Sequence, residues 1–229
     1  MRTQPQVPVT RKRKRILLVD DHPLVRHSLA LWIERAPELE VCGQAESAAE
    51  ALSLAARLKP DFVLTDVSLP GRNGLELIKD LRAMHPDVQV LVLSMHDESI
   101  YAGRALRAGA RGYITKRAGG DGVVGAIREV MQGRIALSPA MATQLLEQFS
   151  GREQQPGDPG LSNLTDREIE VLDLVGQARS NRDIADQLNI SHKTVESHRL
   201  SLMRKLKVKT PAELLRLAVQ QQEAEQATP

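Results

Sequence analysis

Five polar residues stand where short apolar runs end. Asp20 and Asp21 follow Ile16–Val19, Asp66 follows Phe62–Thr65, Ser94 closes Val88–Ser94, and Lys116 follows Gly112–Thr115. Two adjacent carboxylates repel each other and resist desolvation, so Asp20 and Asp21 need a compensating charge. A hard cation such as Mg²⁺ prefers oxygen ligands and binds through one or two carboxylates, waters and a phosphoryl group. Asp66 is then a candidate nucleophile toward a phosphodonor, giving an aspartyl-phosphate. The metal and Lys116 would stabilise charge on the transferring group, and Ser94 would donate a hydrogen bond to its oxygens. Taken singly, each residue has a plainer explanation. A strand-end aspartate most often caps a helix or forms a turn. Five such residues on four strand ends, in order, are harder to set aside.

For the five to converge, the strands must lie side by side with their carboxyl ends together. Apolar runs at Ile16–Val19, Val41–Ala45, Phe62–Thr65, Val88–Ser94 and Gly112–Thr115 alternate with helical patterns. The helices are expected at Leu24–Arg35, Ala48–Leu58, Leu75–Met84, Ile100–Ala108 and Val123–Gln132. Continuous apolar strands imply a sheet covered on both faces, hence parallel strands with helical crossovers. Right-handed crossovers prune the options, and five βα units suit a flavodoxin-like α/β fold with parallel strands in the order 2-1-3-4-5. In that order the switch point lies between the first and third strands, where Asp20, Asp21 and Asp66 meet. The stretch "KRAGGDGVVG" sits less easily, because interior glycine costs a helix up to ~1 kcal/mol, and a late helix start is expected there.

Ser138 and Pro139 open a further helix to about Phe149, followed by "SGREQQPGDPGLS", a linker. Beyond it the pattern is helical only. Capping-box signals occur at Thr165/Glu168 and Ser180/Asp183, Ser191 is an N-cap, and Pro211 takes an N1 position. Four short helices make a small all-α second domain. The expected division is a basic disordered arm at 1–13, an α/β domain at 14–135, linker helix and linker at 136–161, the helical domain at 162–222, and a tail at 223–229.

The formal net charge of +2 conceals a segregation. Residues 1–15 carry six basic side chains and no acid, residues 16–161 carry 15 basic and 19 acidic, and residues 162–229 carry ten of each. Within the last segment, Lys193–Lys209 holds six basic residues against Glu196 alone, which suits a polyanionic partner. A single cysteine, Cys42, allows no internal disulfide, and a reducing cytoplasm fits best. The histidines lack zinc-ligand spacing. No apolar run is long enough to span a membrane, and none follows the N-terminal charges as a secretory core would, so export is not expected.

"SNRDIADQLNISHKTVESHRLSLMRKL" has helix-turn-helix character, with Ile184, Ala185 and Leu188 facing Val195, Leu202 and His198. The opposite face of the second helix presents Lys193, Glu196, Ser197, Leu200 and Arg204. In such a motif the second helix enters the DNA major groove. Lys193 would bond guanine, Glu196 would accept from cytosine N4, and Leu200 would meet a thymine methyl. Arg182, Thr194, Arg199 and Lys205 are placed for phosphate contacts. The plainer alternative is a small bundle that binds protein.

"ILLVDDHPLVR", "PDFVLTDVSLPGRNGLELI", "VLVLSMHDES" and "AGARGYITK" resemble the receiver domain of two-component response regulators over about residues 14 to 135. The resemblance implies that Asp66 is the phosphoacceptor. It implies that Asp20 and Asp21 hold Mg²⁺ with the backbone carbonyl of Ser68, and that Ser94, Tyr113 and Lys116 form the switch. Residues 161 to 222 resemble the LuxR-type DNA-binding domain of the NarL/FixJ group, in which the last helix commonly mediates dimerisation. Leu214, Leu217 and Ala218 offer an apolar stripe for that purpose, or for core packing. Together these imply a cytoplasmic, non-enzymatic transcription regulator. Its partners would be a sensor histidine kinase, promoter DNA, RNA polymerase and, once phosphorylated, a second copy. In that group the resting receiver often masks the DNA-reading helix. Two alternatives are a phosphorylation-independent DNA-binding regulator and an aspartyl-phosphate phosphatase. The second lacks an acid two residues after Asp66.

Overall fold

The computed structural model describes residues 13–96, 98–149 and 161–227. Five parallel strands, β1 (Lys14–Val19), β2 (Leu39–Ala45), β3 (Phe62–Thr65), β4 (Gln89–Ser94) and β5 (Tyr113–Thr115), form one sheet in the order β2-β1-β3-β4-β5. The helices between them are α1 (Pro23–Glu34), α2 (Ala48–Leu58), α3 (Gly74–Met84) and α4 (Glu98–Ala108), with α5 (Gly119–Met131) after the last strand. β1 shows how the sequence builds two layers. Ile16 and Leu18 enter the core with α1 and α5, whereas Leu17 and Val19 enter the core with α2, α3 and α4. All four are at most 1% exposed, as a strand covered on both faces requires.

Two local expectations are corrected. Lys14 and Arg15 extend the first strand two residues beyond its expected start at Ile16. Lys14 Nζ pairs with Asp61 at 2.8 Å, and Arg15 bonds the Leu58 carbonyl. Most of the basic arm lies outside the described residues, as does most of the linker. The glycine-rich stretch does not delay α5, which begins at Gly119. One of its glycines makes room for an indole. A Cβ on Gly120 would lie 2.4 Å from Trp32 on α1. Gly120→Ala is therefore expected to destabilise the receiver by about 1–3 kcal/mol through overpacking, despite alanine's better helix propensity. A chemical denaturation curve followed by Trp32 fluorescence measures this.

Helix α6 (Pro139–Phe149) starts at Ser138, whose hydroxyl accepts from the Met141 amide, and whose own amide donates to Glu98 at 2.9 Å. The second domain comprises α7 (Asp166–Gly176), α8 (Asn181–Leu188), α9 (His192–Lys205) and α10 (Pro211–Ala227). Both capping boxes form, at Thr165/Glu168 and Ser180/Asp183, and Ser191 caps α9. The tail expected from residue 223 instead continues α10 to Ala227. Ile184, Leu188, Val195 and Leu202 close the small core. Among the described residues no helix is long and apolar enough to cross a membrane.

Candidate functional site

Asp20 and Asp66 follow β1 and β3, and ladder bonds hold both. The Asp20 amide donates to Ala45 O, and the Asp66 amide donates to Val19 O. Gly74 lets the start of α3 press against the second strand end, for a Cβ there would lie 2.1 Å from the Asp66 carbonyl oxygen. Asp20 and Asp66 are 2% and 5% exposed. One ligand atom each from Asp20, Asp21, His22 and Asp66 lies within 4.8 Å of the others.

Lys116, delivered by β5, answers the repulsion in part. Its Nζ lies 2.5 Å from Asp20 Oδ2 and 2.6 Å from Asp66 Oδ2. Burial alone would lower the lysine's pKa, but the Asp66 charge and the hydrogen bonds to both carboxylates outweigh it, and the net shift is upward. Asp21 is served differently. Its buried Oδ1 has no well-directed hydrogen bond, although His22 Nδ1 stands 2.8 Å away. A carboxylate oxygen without a directed hydrogen bond, beside two further carboxylates, is a donor set suited to a hard cation. The acidic cluster can therefore hold a metal.

Ser94 is fully buried at the end of β4, and Tyr113 at the start of β5. Both converge on one residue that sequence reasoning missed. The Ser94 hydroxyl accepts from the His96 amide at 3.4 Å, and the Tyr113 hydroxyl donates to the His96 carbonyl at 2.9 Å. The imidazole stacks on Tyr101 with ring centroids 4.8 Å apart. Its Nε2 lies 2.7 Å from Ser68 Oγ, and its Nδ1 lies 3.1 Å from Asp173 Oδ2 on α7. Tyr101 also donates to Asp173 Oδ2, at 3.0 Å. Arg104 adds a second crossing, at 3.0 Å to both Asp166 and the Leu161 carbonyl. So α4 and the loop after β4 carry hydrogen bonds between the two domains, and Lys79 on α3 adds an ion pair to Asp166 at 3.7 Å. No periodicity could have paired His96 with a carboxylate 77 positions later; only its place two residues after Ser94 marks it.

In the helical domain, Arg182, Lys193, Glu196, Ser197, Leu200 and Arg204 are exposed, and Thr194 is half-buried. The predicted reading face thus stays open while the receiver sits on α7 and near Gln187 and Leu188. Masking of that face by direct cover is not what this structure shows. Two expected phosphate contacts are engaged internally. Arg199 bonds Asn181 Oδ1 at 2.9 Å, and Lys205 bonds Glu168 at 2.7 Å and the Asn163 carbonyl at 3.1 Å. The dimer stripe also needs correction. Leu214 is fully buried and Ala218 is 2% exposed, both within the domain's own core, with Leu217 packed partly against it. α10 lies along α7, so these side chains face inward.

Two family models match the chain: the response regulator receiver domain over residues 16–128, and the luxR family of bacterial regulatory proteins over residues 162–218. The response regulator GacA of Pseudomonas aeruginosa is 38% identical over 206 residues, covering 90% of this chain and 95% of its own. The chain belongs to the response regulators with a LuxR-type DNA-binding domain, the NarL/FixJ group. The transcriptional regulatory protein DegU of Brevibacillus brevis is 34% identical, over 87% of this chain and 90% of its own. Among solved structures, the Salmonella typhimurium response regulator RcsB matches with a TM-score of 0.68 and 25% identity, over 91% of this chain and 98% of its own. RcsB bound to promoter DNA in the presence of a phosphomimetic matches with a TM-score of 0.66, again at 25% identity, covering 90% and 98%. This regulator therefore pairs a receiver with a transcription-controlling DNA-binding domain, and its five strands carry the site at their carboxyl ends.

Proposed function

We propose that Asp66 of this response regulator accepts a phosphoryl group from a sensor histidine kinase in the cytoplasm, and that the phosphoryl group controls dimerisation and promoter binding. The observation that carries the reading is Lys116 bridging Asp20 and Asp66. An ammonium already bonded to the nucleophile's oxygen is placed to follow charge onto the phosphoryl group. Asp20, Asp21 and Asp66, with the Ser68 carbonyl, would hold Mg²⁺. Bound there, the ion would neutralise charge on the phosphoryl oxygens.

The switch is read from the bonds to His96. A phosphoryl group on Asp66 attracts the Ser94 hydroxyl, which now accepts from the His96 amide. If Ser94 moves and Tyr113 follows, His96 loses both backbone anchors, and with them the alignment that holds Asp173. Lys193, Glu196, Ser197 and Leu200 would then read bases, with Arg182, Thr194 and Arg204 positioning the helix on phosphates. The dimer surface would draw on the outer side of α10, where Leu215 is 38% exposed. Promoter-bound RNA polymerase is the expected recipient of the signal, and the chain itself would turn over no substrate.

Asp66→Asn tests the reading. DNA affinity of the wild type is expected to rise with a phosphodonor and Mg²⁺, while the variant stays at its resting value. A full swing from mostly closed to mostly open needs about 5.5 kcal/mol of differential stabilisation. Gel-shift titration against genomic promoter fragments measures it, and equal responses would refute the assignment of Asp66.

A further inference from the structure

A cleft of about 180 Å³ between the domains is lined by Asp21, Ser68 and His96 of the receiver and by Glu170, Asp173 and Gln187 of the DNA-binding domain. Asp21 belongs to the acidic cluster, and the Ser68 amide lies 3.4 Å from Asp66 Oδ1. The cleft is therefore an approach to the phosphoacceptor with one wall built by α7. That wall is acidic. Glu170 is partly answered by Arg167 at 2.7 Å, and its burial still holds its carboxyl above the usual range. Asp173 is bonded by donors that need carry no charge. His96 Nδ1 lies 3.1 Å from Asp173 Oδ2 and its Nε2 lies 2.7 Å from Ser68 Oγ, while Tyr101 supplies a hydroxyl. Asp173 thus places a second acidic side chain on that wall, beside Glu170.

Phosphodonors are anions. We propose that Asp173 is a specificity-determining residue for phosphorylation of Asp66. Supplied by the DNA-binding domain and held by His96 and Tyr101, its charge slows small anionic donors such as acyl phosphates while the domains are docked. In the reaction, a carboxylate oxygen of Asp66 attacks phosphorus, the bond from phosphorus to the acyl oxygen breaks, and that oxygen leaves with the electron pair as the free carboxylate. Asp173 touches none of these atoms and acts through charge on the approach. The inference rests on Asp66 being the phosphoacceptor.

The test measures Asp66-dependent phosphorylation of the full chain by acetyl phosphate with Mg²⁺ at rising ionic strength. Asp173→Asn keeps size and hydrogen bonding and removes the charge. Its initial rate is expected to exceed wild type by about fivefold at low salt, one charge's share of the roughly ten- to thousandfold that steering by a whole charged cleft gives. The two rates should converge near 1 M salt, where the screening length is about 3 Å. Asp173→Glu should keep the slow rate, and small-angle scattering should show Asp173→Asn as compact as wild type. Equal rates at low salt would overturn the proposal, as would a rate gain that salt does not diminish or an expanded scattering profile. If the wild type takes up no phosphoryl group that Asp66→Asn lacks, the phosphoacceptor assignment falls as well. Labelling at Asp66 with no effect of Asp173→Asn removes this inference alone.

Discussion

Replacing Lys116 by alanine is expected to destabilise the receiver by about 3–5 kcal/mol, the cost of leaving buried charges without their partner. The lysine side chain is 9% exposed, and the side chains of Asp20 and Asp66 are 3% and 6% exposed, so water cannot take its place cheaply. For a chain of this size the loss corresponds to a melting temperature lower by about 8–15 °C. The same variant makes the metal site measurable. With the ammonium gone, Asp20, Asp21 and Asp66 should depend on a divalent cation for charge balance. Mg²⁺ at a hundredfold excess over its dissociation constant would restore about 2.7 kcal/mol. Thermal unfolding of wild type and Lys116→Ala, each with and without MgCl₂, decides both points. An unchanged melting temperature would mean that the carboxylates do not repel in the folded state as their spacing demands.

Glu168→Gln is expected to cost about 3 kcal/mol in the DNA-binding domain. Burial raises the pKa of this carboxyl, but bonds from Lys205, the Thr165 amide and hydroxyl, and Ser201 overcome that and draw it down to about 2. The lowered value fixes the sign. The stabilisation is fully present above the unfolded pKa near 4.5 and is lost as pH falls toward 2. Wild-type denaturation midpoints should therefore decline across that interval, and the contribution of Glu168 should be missing from Glu168→Gln. The only tryptophan, Trp32, lies in the receiver. Loss of helical circular dichroism without a matching change in its fluorescence would place the effect in the second domain. Because Lys205 is tied to Glu168, weaker DNA binding in a Lys205 variant would reflect a loosened α7–α9 junction as much as a lost phosphate contact.

The parts of the site built from strand ends could be read from the chain itself. A parallel sheet puts the residue after each strand at one edge. Alternating apolar runs and helical patterns are enough to place Asp20, Asp21, Asp66, Ser94 and Lys116 at the carboxyl ends of neighbouring strands. Helix starts were equally accessible, because Thr165/Glu168, Ser180/Asp183 and Ser191 satisfy backbone amides within four residues of themselves. Glycine is the exception, for a reason of range. Propensity weighs a residue against its own helix, while Gly120 answers to Trp32, which arrives from another element.

The local code thus determined the strands, the helices and the helix-turn-helix, because each depends on periodicity or on neighbours in the chain, and crossover handedness turned that alternation into the acidic cluster. Only the tertiary structure decided which basic residues stay free, whether α10 turns Leu214 inward, and how the domains meet. Those outcomes rest on pairs such as Lys205–Glu168 and His96–Asp173, where two side chains distant in sequence satisfy each other at hydrogen-bond range. A side chain able to bond several partners equally well is assigned one only when packing removes the others.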